Sequence, residues 1–123
     1  MQRIGIVNRG EPAVRFLNAI AELGPAGPSA VVLFVDGDEA SLAVRRAPAA
    51  VRIGADRKAF LDPNAVISGL RAGGCDAAWL GWGFASEDGT FAQALEDAGF
   101  VLLAHVIIGL SMTYVGSKGS QWE

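Results

Sequence analysis

Cysteine is almost missing from this chain: Cys75 is the single one among 123 residues. One cysteine excludes an internal disulfide and a thiolate zinc cluster. Cys75 is expected to be a small buried apolar residue near the start of a strand. His105 also stands alone, so no multi-histidine metal site can be built. Positive charge is in short supply too. Ten Lys and Arg stand against thirteen Asp and Glu, a formal net charge of -3, which leaves no basic footprint for nucleic acid or an anionic membrane. Charged residues make up 19% and hydrophobic ones 51%; against a usual charged share of about 25%, that is the balance of an ordered globular chain. No basic segment followed by an apolar run opens the sequence, which predicts a cytoplasmic location. The apolar run from Phe100 to Val115 is shorter than the roughly 20 residues that a spanning helix needs. Neither a nucleic-acid nor a membrane partner is expected.

What is present is an alternation of short apolar runs and amphipathic stretches, enough for one domain with a core of its own. Arg3-Ile4-Gly5-Ile6-Val7 reads as a parallel strand buried on both faces. Asn8-Arg9-Gly10 is a turn. Glu11-Pro12 opens a helix, since Pro is tolerated in the first turn and Glu complements the dipole. Val14, Leu17, Ile20 and Ala21 form its apolar face, and Gly24-Pro25 stops it. Ala30 to Val35 is the second strand. Asp36-Gly37-Asp38-Glu39 follows, and Asp36 and Asp38 read as loop and helix-capping residues. Ala40 to Ala47 suits a short helix with Arg45 and Arg46 on a solvated face. Val51-Arg52-Ile53 is a third strand, and Arg57 to Leu61 is connecting structure. Asp62-Pro63 starts a helix that Gly73-Gly74 ends. Ala77 to Leu80 is a fourth strand. A helix begins near Thr90 and is capped by Gly99, and Phe100 to Leu103 is a fifth strand. The segment after it, from His105, reads as extra apolar chain that packs on the sheet, then a polar end.

This order predicts a three-layer α/β/α fold, with a doubly wound and mainly parallel sheet. Residues 1–104 would form the domain and 105–123 a divergent tail. A strand order of 3-2-1-4-5 would place the first and fourth strands side by side. Their C-terminal ends would then flank the switch point where ligands collect in open sheets. The turn Asn8 to Glu11 and the loop Gly81 to Asp88 would meet there. In that loop, glycines at 81 and 83 alternate with Trp82 and Phe84. The two rings either pack on a second surface or ligand or fold back onto their own core. A nucleotide-binding turn of G-x-G-x-x-G type is disfavoured, because the first turn holds only Gly10.

The stretch Asn8-Arg9-Gly10-Glu11-Pro12-Ala13-Val14-Arg15 resembles the N-R-G-E-I-A-x-R turn that opens biotin carboxylase, the ATP-dependent part of acetyl-, propionyl- and pyruvate carboxylases. Val35 to Gly54 is similar to that family's second strand, acidic loop, basic segment and third strand. Leu80-Gly81-Trp82-Gly83-Phe84-Ala85-Ser86-Glu87-Asp88 resembles its P-G-Y-G-F-L-S-E-N. The resemblance covers residues 2 to 103. Trp79-Leu80 stands where the family has His-Pro, Trp82 where it has Tyr, Ala85 where it has Leu, and Asp88 where it has Asn. The W-x-G-W-G-F variant resembles that of large fused acyl-CoA carboxylases. After Leu103 the family continues F-I-G-P-S and then Gly-Asp-Lys, whereas here Ala104-His105-Val106 follows and Gly116-Ser117-Lys118 is a poor match.

The resemblance implies a Rossmann-like domain that precedes an ATP-grasp domain. It implies chemistry in which ATP activates bicarbonate as carboxyphosphate and biotin is then carboxylated, with Mg²⁺ and basic groups clamping the phosphates. Those groups lie on the ATP-grasp and C-terminal domains, so the chain is not expected to bind ATP, Mg²⁺, biotin or bicarbonate, or to catalyse, by itself. What it implies for this chain is one wall of the cleft: Trp82, Gly83 and Glu87 bordering the biotin and bicarbonate region, with Asn8 and Arg9 nearby. Glu87 reads equally as dipole support for the next helix. Arg15 and Glu22 would lie on a homodimer interface, or on an ordinary solvated face. The alternatives are a non-catalytic α/β interaction module and, least favoured, a small nucleotide-binding protein.

Overall fold

The computed structural model describes residues 2–81, 89–108 and 111–114, with residues 104–108 and 111–114 described by backbone path alone. The elements run β1 (Arg3–Ile6), α1 (Glu11–Glu22), β2 (Ser29–Val35), α2 (Leu42–Arg46), β3 (Ala49–Gly54), a 3-10 helix (Arg57–Leu61), α3 (Pro63–Ala72), β4 (Ala77–Trp79), α4 (Gly89–Asp97), β5 (Val101–Ile108) and β6 (Ser111–Tyr114). They build one six-stranded sheet in the order β3-β2-β1-β4-β5-β6. The first five strands are parallel, as the alternation predicts, and β6 returns antiparallel to β5. This is an α/β fold with the switch point between β1 and β4, where the sequence places it.

Residue choice follows strand position. β1, β2 and β4 are central and almost continuously buried, because helices cover both faces of a parallel sheet. β3 is an edge strand, and its burial alternates along the chain. Edge position leaves one side of each pleat open to water, so Ala50 and Arg52 point outward there.

Each face of the sheet has its own core. Beneath α1 and α2, Ile4, Ile6, Val32 and Trp79 meet Phe16 and Ile20. Beneath α3 and α4, Val31, Leu33 and Val35 meet Val66, Leu70 and Leu95. The first core is centred on a stack of Phe16 on Trp79, with ring centroids 4.3 Å apart and 14° between the planes. Such a pair adds about 1 kcal/mol to the area the rings bury.

Several expectations need correction. The buried stripe of α1 is Ala13, Phe16, Leu17 and Ile20, while Ala21 is exposed and Val14 half-buried. Phe16 takes the inner position because Trp79 reaches up from β4 to meet it. The connection 57–61 is a 3-10 turn whose start Asp56 caps, accepting from Lys58 N. Ser41, rather than Asp36 or Asp38, caps α2, accepting from Val44 N. Cys75 is half-buried rather than buried, and partial burial still pushes its thiol up to about 11. Asp62 caps α3 as expected, accepting from Asn64 N at 3.0 Å.

Candidate functional site

The site is built where parallel strands end. β1 stops at Ile6, and Val7 still donates its amide to Trp79 O at 2.9 Å. The next residue, Asn8, turns its side chain toward β4. Its Nδ2 donates to Leu80 O at 3.1 Å, and its Oδ1 accepts from Arg9 N at 2.8 Å. One side-chain amide thus ties the β1–α1 turn to the first residues beyond β4. Of the loop expected to meet this turn, Gly81 to Asp88, only Gly81 lies within the described residues, and it stands beside Asn8.

Gly81 must be glycine on two counts. Its φ is +68°, a conformation that costs L residues about 1–2 kcal/mol. An added Cβ would also lie 2.6 Å from Asn8 Nδ2 and 2.8 Å from the Trp79 ring. Gly10 shares the positive φ, at +69°, but opens onto empty space. It precedes α1 as a cap with no side-chain bond, so the first amides of that helix rely on Gly10 only for the backbone bond that Val14 N donates to its carbonyl.

Arg9 is exposed, and its Nε and Nη2 are engaged. Nε donates to Asp38 Oδ2 at 2.9 Å and Nη2 to Oδ1 at 2.8 Å. This two-bond geometry is the strong form of a guanidinium–carboxylate pair. The hydrogen bonds from Arg9, against a modest opposing effect of burial, hold the Asp38 carboxyl below the usual carboxylate range and raise the Arg9 guanidinium. A second pair of the same form joins Asp36 to Arg52 on neighbouring β3, at 2.6 and 2.8 Å, and shifts both groups in the same directions. The two aspartates are therefore ion-pair residues rather than caps. Strand order supplies the partners: Arg9 and Asp38 follow adjacent strands at their C-terminal ends, and Arg52 sits opposite Phe34 in register.

Of the other predicted residues, Trp82, Gly83 and Glu87 lie outside the described residues. Arg15 and Glu22 lie on the outer face of α1, both exposed. Arg15 pairs with Glu11 one turn earlier at 3.6 Å, an exposed contact of small energetic weight. Among the described residues, no group of three or more His, Cys, Asp or Glu side chains could hold a metal ion, and none of their helices is long and apolar enough to cross a membrane.

The family model for the biotin carboxylase N-terminal domain matches residues 1–106. The chain belongs to this family. It is 35% identical over 103 residues to the propionyl-CoA carboxylase alpha chain of Ruegeria pomeroyi, a match that covers 82% of this chain and 15% of that protein. Among solved structures, it superposes on a biotin carboxylase-beta-gamma-ATP complex from Campylobacter jejuni with a TM-score of 0.76 at 29% identity, covering 85% of this chain and 24% of that one. On the biotin carboxylase domain of a single-chain bacterial carboxylase, the TM-score is 0.75 at 37% identity, covering 83% and 24%. The chain thus spans about a quarter or less of the proteins it matches. Within the biotin carboxylase N-terminal domain family, Asn8 and Arg9 lie in the turn whose N-R-G-E pattern first pointed there.

Proposed function

We propose that this biotin carboxylase N-terminal domain forms one wall of the active-site cleft of an ATP-dependent carboxylase of the acetyl-CoA, propionyl-CoA or pyruvate type, and that it has no turnover of its own. The observation that carries the reading is the bond from Asn8 Nδ2 to Leu80 O. It joins the two stretches that resemble the family at one rim of the sheet, next to the switch point where open α/β folds take their ligands. In this reading Trp82, Gly83 and Glu87 border the biotin and bicarbonate region. ATP and Mg²⁺ are held by an ATP-grasp domain, and the partners are that domain and the C-terminal domain. Arg15 and Glu22, exposed on α1, are offered to a second copy in a homodimer.

The test is reconstitution. Mixing the chain with separately expressed ATP-grasp and C-terminal domains of a carboxylase relative should raise bicarbonate-dependent ATP hydrolysis above that of either component. No gain in the mixture would remove the reading and leave a non-catalytic interaction module, and hydrolysis by the chain alone would contradict the claim that it has no turnover of its own.

A further inference from the structure

Arg9 is the one cation of the β1–α1 turn, and a cation at a cleft rim invites a role in gripping an anion. The geometry argues for a different use. Both bonds it makes run to the two oxygens of Asp38, whose own backbone is fixed by turn bonds. Asp38 N donates to Val35 O at 3.0 Å, and Asp38 O accepts from Ser41 N at 3.0 Å. Asn8, Arg9, Val32, Asp38 and Ser41, among others, line a cavity of about 150 Å³. The ion pair ties the turn to the β2 side of that cavity.

We propose that Asp38 is a positioning residue for the glycine turn. Its clamp on Arg9 fixes the backbone of the β1–α1 turn, and from that position Asn8 holds the Leu80–Gly81 peptide. The links are continuous. Asp38 binds the Arg9 side chain, Arg9 N binds Asn8 Oδ1, and Asn8 Nδ2 binds Leu80 O. Gly81, where an added Cβ would come within 2.6 Å of Asn8 Nδ2, lies against that amide and follows its movement. In the assembled carboxylase, Asp38 acts at the cleft through Arg9 and Asn8 without touching a substrate, a role that rests on the cleft-wall reading above.

The experiment uses amide hydrogen exchange in the 123-residue chain, read at two places. Gly81 reports the turn, and Val7, whose amide bonds Trp79 O, reports opening of the sheet. Asn8→Asp keeps the oxygen that accepts from Arg9 N and loses the donor to Leu80 O. It should speed Gly81 exchange about five- to tenfold, the equivalent of one lost hydrogen bond, with Val7 unchanged. Asp38→Asn should speed Gly81 about two- to threefold, as expected for a partly exposed pair, again with Val7 unchanged. The double variant should match Asn8→Asp alone, since the two residues act in series. Arg9→Lys, which keeps the charge but not the two-bond fork, should reproduce Asp38→Asn. The proposal fails if Asp38→Asn leaves Gly81 as it was, speeds Gly81 and Val7 equally, or adds in full to Asn8→Asp. These outcomes are read on the chain alone, so a failed reconstitution would remove the cleft-wall reading and leave the exchange result standing. In a working reconstituted enzyme, Asp38→Asn should lower kcat by a similar two- to threefold and leave the KM for ATP unchanged; a raised KM with unchanged kcat would contradict it.

Discussion

Two aspartates pin opposite rims of the same sheet. At the N-terminal rim, Asp76 takes backbone amides directly: Gln2 N at 2.9 and 3.2 Å and Arg3 N at 3.1 Å. Arg3 Nε, beside it, donates to Gly73 O at 2.8 Å. At the C-terminal rim, Asp38 takes a side chain, Arg9, and reaches the backbone only through it. Direct bonds to backbone lock strand ends in place and leave nothing to adjust. A bond through a long side chain holds a turn while leaving its peptide groups free for other partners. The first arrangement suits stability and the second suits a site, which matches the side of the sheet where open α/β folds bind.

Substitutions at the two rims and between them would break or sharpen this contrast. The largest effect should come from the core that both rims enclose. Trp79→Ala removes the Phe16 stack and leaves a large cavity, and should cost about 3–5 kcal/mol in urea unfolding. Trp79→Phe should cost only a fraction of that. It keeps an aromatic partner and removes a buried Nε1–H that has no acceptor among the described residues, and a missing acceptor is itself a penalty.

Next comes the glycine pair. Gly81→Ala meets both strain and the Asn8 and Trp79 side chains, and should cost about 2–3 kcal/mol. Gly10→Ala meets strain alone and should cost about 1–2 kcal/mol. Equal losses at the two positions would show that close packing at the C-terminal rim contributes nothing. Asp76→Ala at the other rim should cost about 1 kcal/mol through amides left to water, without altering exchange at Gly81.

The smallest effect is the pH dependence of the Arg9–Asp38 pair. The folded Asp38 carboxyl is held below its unfolded value. Its contribution is therefore present above the ordinary carboxylate range, near pH 4, and is lost as pH falls through the folded value. With Arg9 largely open to water, the contribution should stay under about 1 kcal/mol. The stability difference between wild type and Asp38→Asn, measured in urea at pH 7 and again at pH 3, should shrink toward zero at the lower pH. A difference that grows on acidification would reverse the assigned sign.

Much of the architecture was legible because each βα unit carries its own punctuation. Asp62-Pro63, Gly24-Pro25 and Gly73-Gly74 mark helix ends by chemistry that acts within one turn. Four short apolar runs, and a fifth interrupted by Arg52, alternate with amphipathic stretches in the order of a parallel sheet. What escaped was long-range. Phe16 reads as an arbitrary helical position until Trp79 is known to stand beneath it. β6 escaped because pairing with β5 is set by the sheet edge and not by local pattern. Asp36 and Asp38 carry the composition of caps, and only the neighbours supplied by strand order turn them into ion-pair residues. At the site, the identity of Asn8 and Arg9 was legible from their motif, while their function as ties was not, since it depends on Leu80 and Asp38 from other strands. Trp82, Gly83 and Glu87 lie outside the described residues.

The claim that the C-terminal rim is the working surface has one direct measurement. A ¹⁵N-labelled chain would be titrated with the ATP-grasp and C-terminal domains of a carboxylase relative and followed by amide shifts. The account predicts that Asn8, Arg9, Gly10, Leu80 and Gly81 shift while Arg3, Gly73 and Asp76 hold still. Shifts confined to Arg3, Gly73 and Asp76, with the C-terminal rim unmoved, would contradict it.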